Sequence, residues 1–237
     1  PGEGREVELC DYQDDDCDGQ VDEDFVAPNG DYLTLQDCGA CGSDCLTQWD
    51  PSPQAFNVSP ICANEGGLTL CSYTCLAGSY DVDGLSNNGC EFQPDLQAIY
   101  VTPPLYGGVD VVTCGPFESP CATITFASTR AINENFERVR VSEGIYRELI
   151  TVPEGLQLLG GHQRNTWIRN PTVSISSLDT RGLGSVDEHR YGMIALDVLT
   201  PTLVDGFTII GGSPTLTGNA YGLYIKDSNQ NLVFSNN

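Results

Sequence analysis

The chain has 237 residues with 33 acidic and 10 basic side chains, which gives a formal charge of −23 at pH 7. Residues 1–95 hold 20 of the acids and one base, Arg5, whereas residues 96–237 hold 13 acids and 9 bases. Nucleic acids and anionic membranes need basic surfaces, so the composition argues against both as partners. No apolar run approaches the ~20 residues that span a bilayer. The uneven charge predicts two regions of different character.

Cysteine usage separates the same two regions. Nine of the eleven cysteines lie in residues 1–95. A small region with this density cannot build much of a core and is normally held together by disulfides. We therefore expect an extracellular or cell-surface location, outside the reducing cytosol.

The first predicted element is an acidic loop, Cys10–Phe25, which contains eight acids and no base. Asp14, Asp16 and Asp18 alternate along the chain, and Gly19 follows them. This is the first half of an EF-hand-type calcium loop, in which oxygens at positions 1, 3 and 5 converge and glycine at position 6 allows a sharp turn.

The second half of the loop departs from that pattern, because position 12 is Phe25 and not glutamate. Acids later in the loop must therefore complete the coordination, and the alternative is a merely solvated acidic run. We predict a calcium ion as the cofactor, with the ligands Asp14, Asp16, Asp18, Gln20, Asp22 and Glu23.

The same segment resembles the metal-binding acidic repeat of MopE-type copper-binding proteins, which occurs in secreted surface proteins of myxobacterial type. It differs from the repeat at Tyr12, where the repeat prefers glycine. The resemblance makes copper the competing metal. Copper favours imidazole, thioether or thiolate ligands, and both histidines and the methionine lie far along the chain, so the oxygen-rich loop favours calcium. The matching positions are Cys10, Asp14, Asp16, Cys17, Asp18, Gly19, Asp22 and Glu23.

A cysteine-rich stretch follows the acidic loop. Zinc binding at Cys38-x-x-Cys41 is an alternative to disulfides, but no second pair completes a zinc set at conventional spacing. We expect short bridges between Cys10 and Cys17 and between Cys114 and Cys121. The odd cysteine is then expected within the range 38–90.

Residues 36–92 resemble another module of the same surface proteins, which often follows the acidic repeat. Within it, polar residues between 81 and 91 form a second candidate calcium site, and an Asx-rich turn is the alternative interpretation. The candidate ligands are Asp81, Asp83, Asn87 and Glu91, with Asn88 beside them.

From residue 96 onward, short β-branched runs alternate with Gly, Asn, Asp and Pro. Helical spacing predicts one helix over Cys121–Asn133. The gaps between the other segments are too short for helices, so the pattern favours the coils of a parallel β-helix, with a β-sandwich as the alternative. The predicted strands are 99–101, 139–141, 149–152, 156–159, 173–175, 193–196, 203–204, 207–210, 222–225 and 232–234.

Several of these segments resemble the start of a pectin-lyase-like right-handed β-helix, in which an amphipathic helix caps the N-terminal end of the coils. The fold class expected is therefore all-β: a right-handed parallel β-helix with a capping helix, preceded by a disulfide-rich, calcium-binding irregular region. We place the modules at 1–30, 31–95 and 96–237 and expect the natural chain to continue beyond its last residue. The matching segments are 99–101, 120–124, 139–146, 158–161 and 205–209.

Two clusters were considered as enzymatic or glycan-binding sites, because polysaccharide cleavage needs paired acid–base groups. A charged loop tip is the favoured explanation of the first cluster, and a coil-closing turn is the favoured explanation of the second. We therefore lean against an enzyme. The first cluster is Asp179, Arg181, Asp187, Glu188, His189 and Arg190; the second is Gly160–Arg164 with Trp167 and Arg169.

Taken together, the sequence predicts a secreted or cell-surface calcium-binding protein with a structural or adhesive role. The β-helix would then act as a rigid spacer or assembly unit, with partners among copies of itself or other surface proteins. The alternatives are a polysaccharide-binding or polysaccharide-degrading protein and a metal-buffering protein.

Overall fold

The computed structural model describes residues 7–48, 56–183, 186–214 and 217–237. It consists mostly of strands with few helices, in agreement with an all-β class. Contacts divide the chain into two compact units, Pro1–Gln93 and Pro94–Asn237. The change of texture in the sequence falls two residues from this boundary, between residues 95 and 96.

The first unit is built on one antiparallel hairpin. Strand β1 (Val58–Glu65) pairs with β2 (Leu68–Cys75) along its whole length, and Gly66 and Gly67 form the turn with positive φ. A four-residue helix, α1 (Cys45–Gln48), precedes the hairpin.

Disulfides replace much of the hydrophobic core that this small unit lacks. Cys62 and Cys71 face each other across the hairpin, and each bridges to a cysteine of the preceding loop. A further bridge closes the segment after the hairpin, and another ties the acidic loop to the cysteine-rich stretch. The four bridges are Cys10–Cys41, Cys38–Cys62, Cys45–Cys71 and Cys75–Cys90.

The second unit contains three parallel sheets. The first sheet has β3 (Ala98–Val101), β4 (Arg138–Ser142), β7 (Gln157–His162), β10 (Thr202–Asp205) and β13 (Leu232–Ser235). The second has β5 (Gly144–Tyr146), β8 (Ser176–Asp179) and β11 (Phe207–Ile210), and the third has β6 (Ile150–Thr151), β9 (Arg190–Leu196) and β12 (Ala220–Lys226).

The chain visits these sheets in a fixed rotation. After β3, the strands β4, β5 and β6 fall in the first, second and third sheet in turn, and β7–β9 and β10–β12 repeat that order. Each strand pairs in parallel with its counterpart in the next round. Residues one round apart in the chain therefore become neighbours in space.

Apolar side chains stack in register along the first sheet and form its core. Four of the five are at most 1% exposed, and the fifth is partly buried. Burying a side chain of this size contributes roughly 1.5–3 kcal/mol, so the ladder is a main source of stability in this unit. Its members are Ile99, Val139, Leu158, Val204 and Phe234.

The predicted helix is present as α2 (Ile124–Glu134), three residues later than expected at its start. Cys121 makes a β-bridge to Val101, and Thr123 is the N-cap whose side chain accepts the N–H of Phe126 at 3.2 Å. These contacts keep the chain extended up to residue 123. The buried face of α2 packs against β3 and β4.

One predicted strand, 173–175, is wrong, and several short elements were missed. The chain turns at residues 171–173, where the carbonyl of Asn170 accepts the N–H groups of Val173 and Ser174, and the strand begins only at Ser176. The elements not expected from the sequence are α1, the hairpin of the first unit, a 3-10 helix at Pro104–Tyr106 and the short strand Gly144–Tyr146.

Helices that could cross a membrane were also sought. Within the described residues, none is long and apolar enough to do so.

Two glycines on neighbouring strands give a matched test of the stacking. A Cβ on Gly192 would lie 2.3 Å from the carbonyl oxygen of Gly222 and 2.5 Å from Ile209, whereas a Cβ on Gly222 would meet nothing within 4 Å. We expect Gly192→Ala to lower the free energy of unfolding by about 1–3 kcal/mol. Gly222→Ala should change it by less than ~0.5 kcal/mol. Equal effects in chemical denaturation would contradict the stacking of β9 on β12.

Candidate metal centre

The acidic loop is organised around Glu8, a residue that the sequence analysis did not select. Its side chain is 2% exposed. One carboxylate oxygen accepts the backbone N–H groups of Asp15 (2.8 Å) and Asp16 (3.1 Å), and the other accepts that of Asp22 (3.1 Å). The three donors lie 7 to 14 residues along the chain, so no local sequence signal identifies this role.

Asp22, expected as a metal ligand, is fully buried and acts as a second organising group. Its oxygens accept the N–H groups of Asp11 (3.1 Å) and Tyr12 (3.2 Å) and the hydroxyl of Tyr32 (2.6 Å). Burial raises the pKa of Asp22, but the bonds from Tyr32, Asp11 and Tyr12 outweigh it and the pKa is lowered. The bond to Asp22 and burial raise the pKa of Tyr32 to about 12. We therefore assign Asp22 a structural role.

The turn at Gly19 forms as the motif predicts. Gly19 has φ +93°, a conformation that favours glycine. The oxygens of Asp14 accept the N–H groups of Asp18 (3.1 Å) and Gly19 (2.9 Å), which closes the loop back onto its first acid. Gln20 uses its side-chain amide to donate to Asp18 at 3.2 Å, and so orients a carboxylate.

Carboxylates of the loop, together with that of Glu8, form two overlapping groups. One oxygen each from Glu8, Asp14 and Asp16 lie within 4.8 Å of one another, and so do oxygens from Asp16, Asp18 and Glu23. Asp16 is common to both groups. The structure therefore brings together four of the six ligands predicted for this loop and adds Glu8.

Glu23 shows that this arrangement is electrostatically incomplete. Its Oε2 atom is buried and has no hydrogen-bond partner. The Glu23 backbone N–H lowers the pKa of this carboxyl, but burial and the charges of Asp18, Glu8 and Asp16 outweigh it, so the pKa is raised. Carboxylate oxygens are the ligands that hard cations such as Ca²⁺ take in proteins, so these residues could hold one.

The predicted Cys10–Cys17 bridge is wrong. Cys10 bonds to Cys41, and Cys17 is an exposed free thiol. The reason is the Asp22 network: it fixes the chain beside Cys10, and the hydroxyl of Tyr12 accepts the N–H of Cys41 at 3.0 Å. These contacts hold Cys10 against the cysteine-rich stretch, where it bonds to Cys41. Cys17 is left without a disulfide partner.

Three other cysteine expectations are decided by the same connectivity. Cys114 and Cys121 are bridged, as predicted. The odd cysteine is not in the range 38–90, because Cys41 takes its partner from the acidic loop. Cys38 and Cys41 belong to different disulfides, which excludes zinc binding by that pair in the oxidised chain.

The second candidate loop is organised by Asp81 and Asp83. Asp81 accepts the N–H of Gly84 and the hydroxyl of Tyr73, both at 2.6 Å. Asp83 accepts the N–H of Leu85 at 2.9 Å. The Asp83 bond is the Asx turn of the alternative interpretation, whereas Asp81 bonds to the residue three positions on and to a side chain of β2.

Two oxygens in this loop nevertheless have no partner. Glu91 accepts the N–H of Val82 at 3.1 Å through one oxygen, while its Oε2 is buried and unpartnered. Asn88 donates to Asp83 at 3.0 Å, and its own Oδ1 is also buried without a partner. Asn87, the amide expected here, is exposed. The residue that places an oxygen in this loop is therefore Asn88.

The first cluster considered for catalysis is divided between an ion pair with a buried aspartate and a tight turn. Arg181 donates to both oxygens of Asp179 at 2.9 and 3.0 Å and lowers its pKa to about 2, so this carboxylate stays ionised in an ion pair. Asp187 and Glu188 occupy a tight turn with positive φ, between the bridged residues Val186 and His189.

The second cluster packs as a turn. Trp167 is 4% exposed and lies edge-on against Tyr100, with ring centroids 4.8 Å apart. Arg169 donates to the carbonyl of Gly160 at 2.9 Å and pairs with Asp205. Trp167 and Arg169 are thus held in packing contacts. Arg164 lies over the half-exposed ring of Tyr106.

The chain was compared with protein-family models, curated proteins and solved structures, and nothing matched in any of the three comparisons. The resemblances to the acidic repeat, the cysteine-rich module and the pectin-lyase-like fold therefore stay predictions from the sequence.

The cysteine connectivity can be determined by thiol labelling and peptide mapping. Alkylation of the oxidised chain without reduction should label Cys17 alone, and proteolysis should release peptides linked through Cys10 and Cys41. A Cys17→Ser variant, which keeps all five bridges, should take up no label. A peptide linked through Cys10 and Cys17, or label on any residue between 38 and 90, would contradict the connectivity.

Proposed function

We propose that this chain is a secreted or cell-surface calcium-binding protein with a structural or adhesive role. Calcium stabilises the acidic loop of the first unit. The second unit is a right-handed parallel β-helix that serves as a rigid spacer or assembly unit.

The observation that carries the proposal is a pair of three-carboxylate groups that share Asp16, together with a buried, unpartnered oxygen on Glu23. Like charges at 4–5 Å repel by several kcal/mol per pair at the effective dielectric constant of a protein surface, on the order of 20. No basic side chain occurs in Cys10–Phe25 to offset this repulsion. A divalent cation among these oxygens removes it and supplies folding free energy to the loop.

The donor atoms favour calcium over copper. The converging atoms are all carboxylate oxygens. Copper favours imidazole, thioether or thiolate. His162 is buried in the second unit and Met193 belongs to its core, so neither side chain is accessible to an ion. Cys17 is an exposed thiol in the acidic loop, but it belongs to neither of the two oxygen groups.

A second calcium ion is proposed in the loop 81–91. Its support is the pair of buried, unpartnered oxygens on Asn88 and Glu91, next to two aspartates already oriented by the turn. A cation there would provide a partner for oxygens that the folded loop leaves unsatisfied.

The spacer role rests on the topology of the second unit. Strands that rotate through three parallel sheets, with apolar residues in register from round to round, support stacked coils. Five disulfides fit a protein that works in an oxidising, extracellular environment. A stacked, bridged chain of this kind suits a mechanical or adhesive role.

Calorimetric titration of the full chain with Ca²⁺ tests the proposal, and we expect two sites. Asp16→Asn removes the carboxylate common to both oxygen groups and should weaken the first site by roughly tenfold or more, about 1.4 kcal/mol. Glu91→Gln should affect the second site alone. Asp24→Asn makes the same charge change at an exposed acid of the same loop and should leave both affinities within about twofold.

Peptide mapping of the Cys10–Cys41 bridge in each variant confirms that the loop has folded. Heat of binding that is unchanged in Asp16→Asn would contradict the first site. Copper binding tighter than calcium binding would contradict the choice of metal.

A further inference from the structure

A cluster of tyrosines lies on the third sheet of the second unit, remote in sequence from either candidate calcium loop. Tyr191 of β9 and Tyr221 of β12 are register partners, and their rings stack at a centroid distance of 5.5 Å and an interplanar angle of 12°. Tyr224 lies 5.2 Å from Tyr191 and 5.3 Å from Tyr221, tilted by 59° to both. We call these three residues the tyrosine face.

The strands, not a mobile loop, hold this face in place. Parallel pairing of β9 with β12 sets the two stacked rings side by side. His189 meets the rings of Tyr191 and Tyr221 edge-on at 6.2 and 5.9 Å, and its Nδ1 accepts the N–H of Asn219 at 3.0 Å. The rings are therefore positioned before any ligand arrives, which reduces the entropy cost of binding.

An open cavity of about 260 Å³ adjoins the tyrosine face. Tyr191 and Tyr224 line it together with the apolar side chains Ile194 and Leu196. Its remaining charged lining consists of Asp187, Asp197, Asp227 and Lys226.

The charges around this cavity are unbalanced. Three aspartates face one lysine, and Lys226 already lies 3.6 Å from Asp227. Two carboxylates, Asp187 and Asp197, therefore contribute surplus negative charge beside the rings. Burial raises the pKa of Tyr191, and so do the neighbouring phenols of Tyr224 and Tyr221 and the carboxylate of Asp187, so this ring keeps its hydroxyl proton at pH 7.

From this geometry we propose that the tyrosine face binds an organic cation that carries a quaternary or methylated ammonium group. Aromatic faces attract such cations through the ring quadrupole, and the nearby carboxylates add Coulomb attraction. The apolar wall formed by Ile194 and Leu196 suits methyl groups. An acidic sugar would be repelled by the surplus carboxylates, and a metal ion would lack converging oxygens on the rings.

The charge requirement is tested with a matched pair of ligands on the calcium-loaded full chain. Choline and its neutral isostere 3,3-dimethylbutan-1-ol have nearly the same shape and differ in charge. Tetramethylammonium serves as the minimal cation, and a neutral hexasaccharide tests for sugar binding. We expect choline and tetramethylammonium to bind in NMR titrations, with at least about fivefold weaker binding of the neutral isostere.

Variants then locate the site. Tyr224→Leu should weaken choline binding by about fivefold or more, whereas Tyr224→Phe keeps the ring and should bind within about twofold of the parent chain. Tyr106→Leu removes a half-exposed ring elsewhere in the same unit and serves as the matched control, with unchanged binding expected. If Tyr224→Leu fails to fold, Asp187→Asn, at an exposed turn, provides the same test through the loss of charge.

Four results would overturn the proposal. They are no binding of either cation, equal binding of choline and its neutral isostere, choline binding that survives both Tyr224→Leu and Asp187→Asn, and binding of the neutral hexasaccharide but of neither cation. The last result would make the tyrosine face a sugar-binding surface.

Discussion

Repulsion among the carboxylates of the acidic loop is the main physical constraint on the first unit. The fold increases this repulsion. The carboxylates of Glu8 and Asp22 accept backbone N–H groups of the loop, and these bonds fix the chain so that its other acids lie close together. A loop organised in this way holds like charges close together, which is electrostatically unfavourable without a counter-ion. The Cys10–Cys41 disulfide links the first residue of the loop to the cysteine-rich stretch. No disulfide closes the loop on itself between Cys10 and Cys17.

The second unit, in contrast, is stabilised by an apolar core. It has 9 bases for 13 acids over residues 96–237, and its described core is apolar and continuous. Rounds of short parallel strands bring residues distant in sequence into register, so one side chain per round builds each ladder. The same stacking that builds the core also aligns Tyr191 with Tyr221 on the surface. In such a fold, a repeated residue type becomes a continuous surface feature.

Much of this could be predicted from local sequence signals. The Asp14–Gly19 turn, the helix near residues 121–133 and most strands of the second unit follow from spacing and turn chemistry. The role of Glu8 and the pairing of Cys10 with Cys41 could not be predicted, because both depend on contacts between residues brought together only by folding. The hairpin was missed although Gly66 and Gly67 between two β-rich runs are a local turn signal. Asp22 illustrates the limit: its position in the motif indicates a ligand, while its burial makes it a structural acceptor.

Amide hydrogen exchange of the full chain, in millimolar calcium and again in excess chelator, tests the central claim most directly. The account predicts that chelation abolishes protection in residues 8–25, where the backbone bonds to Glu8, Asp14 and Asp22 depend on the folded loop. Protection in the ladder strands β4, β7 and β10 should be unchanged. Equal loss of protection in both regions, or no loss in residues 8–25, would contradict the claim that calcium stabilises the acidic loop.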